Sequence, residues 1–524
     1  MITDIRNVPD QDALECDLCI IGGGAAGISL ALEFAGTNTN VILLESGGFD
    51  FEPDVQDLYI GENAGLPYYT LDATRLRYFG GSTNHWAGWC RPFDPIDFEK
   101  RDWVRDSGWP ITYKEFSRYL PRAAALCELP SNNYDPDHWI SNYAAHIHAE
   151  TDTAFGEEFR SAVFQFSTPT RFGEAYRDRL DKADNIKVFL NANVFHIDTN
   201  DNPNIVDAVN VKTLDGTSYK VAPKAVVLAA GGIENARLLL ASNNTHKQGL
   251  ANGAGLVGRY FADHLELASG YILSPDSGDL FNSFMTSPAT PVTFAIDLTS
   301  NAQKRHRLLN MDITLHSVSN FTETSEGFGA VRRLKRSFDQ GQWPDNFFSD
   351  VGAAILNMDD VFSYLFNSNA AGDDSVFLLY NRCEVVPNPD SRITLSGRKD
   401  KIGMPRTKLD WRLTEQDYLS IEKTHKQLGK ALGQNSLGRV KVELENRFKS
   451  WPAVLQGGHH HMGSTRMAAD PKHGVVDANC RTFDIGNLYV AGSSVFPTYG
   501  KANPTLNLLA LTMRLADHLK QTYG

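Results

Sequence analysis

The stretch Cys16-Asp17-Leu18-Cys19-Ile20-Ile21-Gly22-Gly23-Gly24-Ala25-Ala26-Gly27, followed by Val41-Ile42-Leu43-Leu44-Glu45, decides the fold. An apolar run ends in three glycines, and Ile28, Ala31, Leu32 and Ala35 then recur at the i, i+3, i+4, i+7 spacing of a helix face. A second apolar run closes on Glu45. The order strand, glycine turn, helix, strand predicts a βαβ unit of a doubly wound α/β sheet. Within Gly22-x-Gly24-x-x-Gly27 each glycine has its own task. Gly22 permits the tight turn, Gly24 lets the backbone approach a pyrophosphate, and Gly27 lets helix and strand pack closely, while the helix N-terminus turns its free N–H groups and positive dipole to the phosphates. Glu45 is placed to accept hydrogen bonds from ribose hydroxyls and disfavours a 2′-phosphate. A bound dinucleotide other than NADP is expected.

Outward from this unit, 524 residues allow two to four domains, or one composite, at roughly 150 residues per domain. Lys plus Arg number 50 against 63 Asp plus Glu, a formal charge of −13 that repels nucleic acid and anionic lipid. The one basic cluster, Arg332, Arg333, Lys335 and Arg336, lies in a polar stretch and reads as a solvated face. No apolar run approaches the ~18 residues of a membrane span, and the N-terminus shows no signal-peptide pattern. Six scattered cysteines argue against a disulfide framework and for a reducing compartment, so a cytoplasmic protein is expected. Cys16 and Cys19 form a CxxC, but inside what reads as a buried strand.

Further along, strands are predicted at Ile186 to Leu190, Val206 to Val211 and Ala225 to Ala230, and Gly231 opens a helix. Asn388-Pro389-Asp390-Ser391 is a turn before a strand at Arg392, and Thr414 with Asp417 resembles a capping box. Two segments are dense in unusual residues: Gly80-Gly81-Ser82-Thr83-Asn84-His85-Trp86-Ala87-Gly88, and Gly457 to Leu519. The latter holds His459-His460-His461-Met462-Gly463, Asn487-Leu488-Tyr489-Val490-Ala491-Gly492 and Ala502-Asn503-Pro504-Thr505-Leu506.

These motifs, with Val257-Gly258-Arg259-Tyr260-Phe261-Ala262-Asp263-His264, resemble the glucose-methanol-choline (GMC) family of flavin oxidoreductases across nearly the whole chain. The closing segments look most like the branch of pyranose oxidase and bacterial sugar or glycoside oxidases. The resemblance implies FAD, held by Gly22, Gly24, Ala26, Gly27 and Glu45, by Gly80, Gly81, Ser82, Asn84, His85, Trp86 and Ala87, by Val194 and Gly231, and by Gly492, Ser493, Asn503, Pro504 and Thr505. His85 aligns with a histidine that carries a covalent flavin link in some members; a non-covalent ring contact is the alternative. Ala87 stands where fungal pyranose oxidase has a threonine.

The residues themselves suggest the chemistry. Oxidising an alcohol by hydride loss leaves a hydroxyl proton, for which an imidazole is the natural acceptor. The family places that base at His460, and consecutive histidines in an extended segment would send His459 and His461 to the other face. Three adjacent histidines on a strand cannot converge on one metal ion. Asn503 reads as the N-cap of the last helix with Pro504 at N1; the family also uses it to orient the substrate hydroxyl.

The expectation is an FAD-binding, Rossmann-like domain from residues 1–100, 180–264 and 457–524. It is interleaved with an antiparallel-sheet substrate domain from 101–179 and 265–456. The expected reaction is oxidation of a secondary hydroxyl of a sugar or glycoside, with electrons passed to O2 or a quinone-type acceptor. An amino sugar, another polyol or a flavin-containing lyase is the alternative. Loops within Ser317 to Asn369 carry no readable motif, and the oligomeric state is open.

Overall fold

The computed structural model describes residues 1–9, 13–143, 155–199, 203–274, 281, 284, 291–317, 376–442, 444 and 456–524. The basic cluster from Arg332 to Arg336 and the loops after Ser317 lie outside them.

The glycine-loop strand Leu14–Ile21 is near the centre of an eight-stranded sheet. Val41–Leu44 lies parallel on one side, with Ile21 opposite Leu44, and Ser218–Leu228 lies parallel on the other, with Ile21 opposite Leu228. Ile186–Leu190 and Ile2–Asp4 extend the first side; Leu488–Val490 pairs with Ser218–Leu228 from the far end of the chain. Leu18, Ile20, Leu43, Val188, Val226 and Val490 are almost wholly buried, as strands covered on both faces must be. The helices Ala25–Glu33 and Pro504–Tyr523 pack on each other, so the first and last thirds of the chain meet over this sheet. The strand expected at Ala225 to Ala230 is longer than predicted. It begins at Ser218, because Ser218 to Val221 also pair antiparallel with Val206–Lys212, and it ends at Leu228, two residues before the helix Gly231–Ala241.

The second eight-stranded sheet is antiparallel, running Arg439–Val442, Leu265–Leu273, Val376–Cys383, Met311–Ser317, Val292–Leu298, Phe159–Phe166 and Trp89–Cys90, with Gln456–Gly457 beside Leu265–Leu273. Its register sets Glu266 opposite Arg382, Arg382 opposite Asp312, Asp312 opposite Asp297 and Asp297 opposite Arg160. Directly opposed residues share a face, so five ionisable side chains form one rung across the sheet. The turn at Asn388 to Ser391 leads into the strand Arg392–Lys399. Thr414 and Asp417 form the capping box of the helix Glu415–Gln434. Cys16 and Cys19 are buried in their strand, and the hydrogen bond with Cys16, then burial, pushes the Cys19 thiol up. Among the described residues no helix is long and apolar enough to cross a membrane.

Candidate active site

The three glycines form an anion cradle. Gly22 has φ +111°, and a Cβ there would meet the Ala229 carbonyl oxygen at 2.6 Å; a Cβ on Gly27 would lie 1.8 Å from the Gly22 oxygen. Gly24 precedes the helix Ala25–Glu33 with no side-chain cap, which leaves first-turn N–H groups, those of Ala25 and Ala26 among them, for a ligand. A Cβ at Gly24, Gly231 or Gly492 would meet nothing within 4 Å, so the three border open space. The flavin-loop turn Gly81–Asn84 folds onto the same cradle, with Gly80 N–H donating to the Gly23 carbonyl at 2.8 Å. An uncapped helix start beside a string of side-chain-free positions fits a long, anionic group such as FAD.

Several predicted cofactor residues serve the loops themselves. Glu45 accepts from Gly23 N–H at 2.7 Å through one oxygen, and from Gly47 N–H at 2.9 Å and Ser46 Oγ through the other. It therefore clasps the glycine turn before any ribose arrives. Asn84 Nδ2 donates to the Phe79 carbonyl, Ser82 Oγ accepts from Leu76 N–H, and Trp86 Nε1 donates to the Thr170 carbonyl. Arg171 ties down the turn through the Thr83 and Trp86 carbonyls, both at 3.0 Å. His85 is held neutral, its pKa pulled down to about 4 chiefly by burial, and its Nδ1 is buried without a hydrogen-bond partner among the described residues. Ala87 borders the small cluster of Trp89, Phe164 and Ala295, and Val194 pairs with Val211. Ser493 Oγ donates to the His461 carbonyl at 2.7 Å, which draws the strand end at Gly492 against the histidine segment; Pro504 and Thr505 open the terminal helix.

The two residues expected to act on the substrate meet. Asn503 Nδ2 lies 3.5 Å from His460 Nε2 although 43 residues separate them. Paired backbone bonds between Ala262 and Met462 run the two segments antiparallel, and the same register brings His264 opposite His460. His264 Nδ1 is 2.8 Å from His460 Nδ1, and His264 Nε2 is 3.0 Å from the Gly500 carbonyl. Asp263 fixes the loop from below: Oδ1 accepts from Gly458 N–H at 3.0 Å and His460 N–H at 2.8 Å, and Oδ2 accepts from Tyr68 Oη. Burial raises the Asp263 carboxyl to about 7.

The charged rung roofs this pair. Arg382 Nη1 donates to Asn503 Oδ1 at 3.0 Å, Arg382 Nε donates to Glu266 Oε1 at 2.8 Å, and Tyr380 Oη donates to Glu266 Oε2 at 3.0 Å. Since the guanidinium has only donors, the Asn503 oxygen must face it and the Asn503 NH2 must face His460. Further along, buried Lys501 is bound by Asp94 at 2.9 Å, by Asp297 and by Asn310, which anchors the loop that carries Gly500 and Asn503. Burial first, then the Arg382 charge, holds the His460 pKa well below its ordinary value, so the imidazole is neutral near pH 7.

Two local expectations change. Asn503 is the N-cap by position, yet its side chain makes no capping bond: the charge-assisted bond from Arg382 outcompetes the helix N–H groups. His459 is not extended. It has φ +57°, and its ring stacks on Tyr69 with centroids 4.3 Å apart, while His461 Nε2 meets Tyr68 Oη at 3.1 Å. The neighbours of His460 thus leave its face through a left-handed kink rather than strand alternation. His264, Glu266, Arg382 and Tyr68 were not singled out by the sequence. Their signal was weak: Asp263-His264 closes a quoted motif, and Arg382 and Glu266 are charges at alternate positions of strands.

Residues 387–512 match the family model described as GMC oxidoreductase, and residues 17–248 match that described as FAD dependent oxidoreductase. The 2-methyl-1,2-propanediol dehydrogenase of Mycolicibacterium austroafricanum is 24% identical over 97% of this chain and 96% of its own length. The paromamine 6'-oxidase of Streptomyces fradiae is 24% identical over 95% and 90%. The crystal structure of pyridoxine 4-oxidase from Mesorbium loti has the same fold, with a TM-score of 0.53 at 17% identity over 97% of this chain and 99% of the other.

Proposed function

On the premise that this chain is an FAD-dependent oxidoreductase of the GMC type, we propose that it oxidises a secondary hydroxyl of a sugar or glycoside with His460 as general base. FAD, when bound, supplies the hydride acceptor. The carrying observation is the His460–Asn503 pair: an imidazole nitrogen and an amide group 3.5 Å apart, both oriented by other groups. A substrate hydroxyl between them donates its proton to His460 Nε2 and accepts a hydrogen bond from Asn503 Nδ2. Proton loss loosens the carbinol C–H bond. The imidazolium formed at His460, the Asn503 amide and the Arg382 cation behind it stabilise the developing alkoxide.

In this reading the loop and strand positions from Gly22 to Ala87, with Val194, Gly231, Gly492, Ser493, Pro504 and Thr505, surround the cofactor in a unit formed by 1–100, 180–264 and 457–524. The unit of 101–179 and 265–456, whose rung-bearing sheet also takes in Trp89–Cys90 at its edge, covers the substrate. His85 faces a choice between a covalent flavin bond and a ring contact, which acid precipitation decides by whether yellow colour stays with the pellet. The names of the relatives support a hydroxylated substrate, and the paromamine oxidase keeps an amino sugar or other polyol as the second reading. A cytoplasmic site is consistent with six buried, unpaired cysteines.

The test is anaerobic addition of sugars, glycosides, amino sugars and simple polyols to the flavin-loaded protein, followed by reoxidation with O2 or a quinone. Bleaching by sugars or glycosides supports the proposal, and the reoxidant that works identifies the acceptor. Bleaching only by amino sugars or simple polyols moves the substrate class; no bleaching by any alcohol contradicts the reading and leaves a lyase.

A further inference from the structure

We propose that His264 is a positioning residue that fixes the tautomer of His460, so that the Nε2 lone pair faces the substrate. The inference rests on the reading of His460 as base, and it begins at the Gly500 carbonyl. That oxygen can only accept, so His264 Nε2, 3.0 Å away, carries a hydrogen. His264 is wholly buried beside His460 and near Arg382, surroundings that keep it neutral. A neutral imidazole has one N–H, so His264 Nδ1 is an acceptor. His460 Nδ1, 2.8 Å from it, must then be the donor. With its single hydrogen spent there, neutral His460 has a bare Nε2, the nitrogen that faces Asn503.

The arrangement closes into a ring of contacts. Gly500 lies three residues before Asn503 on one loop, and Lys501 between them is anchored by Asp94, Asp297 and Asn310. The carbonyl that sets the His264 tautomer and the amide that orients the substrate therefore move together. The chain of bonds also ends at a carbonyl, which cannot take a proton. A proton received at Nε2 makes His460 an imidazolium stabilised through Nδ1–H to the His264 Nδ1 lone pair, and the charge can travel no further than His264. Two N–H groups on His264 would invert the order, forcing His460 Nδ1 to accept and blocking Nε2 with hydrogen.

The experiment uses the flavin-loaded enzyme with 15N-labelled histidine, the His460 signals being assigned by their loss in His460→Ala. Wild type should show a protonated, pyrrole-type Nδ1 and a bare, pyridine-type Nε2. His264→Leu removes the acceptor, and the His460 signals should shift toward Nε2–H or a tautomer mixture. Its rate of anaerobic flavin reduction should fall about tenfold or more at saturating substrate, with little change in KM. His264→Asn keeps an oxygen near the Nδ1 position and should restore the wild-type tautomer and most of the rate. A wild-type His460 with Nε2–H overturns the proposal even if His264→Leu fails to fold. So does a His264→Leu enzyme that retains the wild-type tautomer and rate. Should His460→Ala still reduce flavin at the wild-type rate, the base assignment fails while the tautomer result stands on its own.

Discussion

At the scale of single residues, the site is organised around one imidazole whose surroundings leave it little freedom. A Cβ added at Gly458 would lie 2.8 Å from His460 Nδ1, 3.1 Å from His460 Cε1 and 3.0 Å from Glu266 Oε1. Gly458 carries no left-handed φ, so the effect of an added methyl is steric rather than a matter of backbone strain. Gly458→Ala should push the ring off His264 and Asn503. The expected result is a flavin-reduction rate lowered tenfold or more, with a stability loss of only about 1 to 3 kcal/mol, typical of local overpacking. Stopped-flow reduction and denaturant titration check the two halves; a variant with unchanged reduction would show that the ring has room to yield.

Among the elements, the parallel sheet was legible and the roof was not. The glycine turn and the strands at Val41, Ile186 and Ala225 announce themselves through apolar runs bounded by turns, because buried parallel strands have no polar face to confuse the pattern. The rung from Arg160 to Glu266 hides for the opposite reason. Each of its residues sits on a different strand, and an isolated charge on an alternating strand reads as a solvated position. Only the register shows that these charges meet inside the protein, with Arg160 paired to Asp297 and Arg382 to Glu266. Asn503 was legible by position but its side-chain partner, Arg382, was 121 residues away. Lys501 shows the cost of this construction. Lys501→Met would leave Asp94 and Asp297 without the cation between them, a change that typically costs about 3 to 5 kcal/mol. The thermal midpoint of the holoprotein should fall and the flavin content per chain should drop with it. Retention of both would mean that Arg91 and Arg160, which also contact these aspartates, suffice.

For the whole molecule, the buried ionisable groups pull stability in two directions with pH. His85, His425 and His459 titrate at about 4, and His264, His460 and His461 are also depressed by burial. In the window from their ordinary value near 6.5 down to about 4, the unfolded chain holds their protons and the folded chain does not, so stability falls as pH falls. Asp97, Asp263 and Asp312 at about 7 and Asp417 at about 6 act oppositely, because the folded state keeps protons that the unfolded state has lost. With six histidines against four aspartates, unfolding takes up protons on balance below pH 6.5 and releases them just above it. The holoprotein should therefore be most stable near pH 6.5 and lose stability toward pH 5, measured as its thermal midpoint across that range. A midpoint that rises steadily toward pH 5 would show that these histidines are charged in the fold. The central claim, a proton taken by His460 as the alcohol is oxidised, is tested most directly by rapid mixing of the flavin-loaded protein with its best sugar or glycoside in the absence of oxygen. His460→Ala should reduce flavin about 10²-fold or more slowly than wild type, the usual contribution of a general base; equal rates would contradict the account.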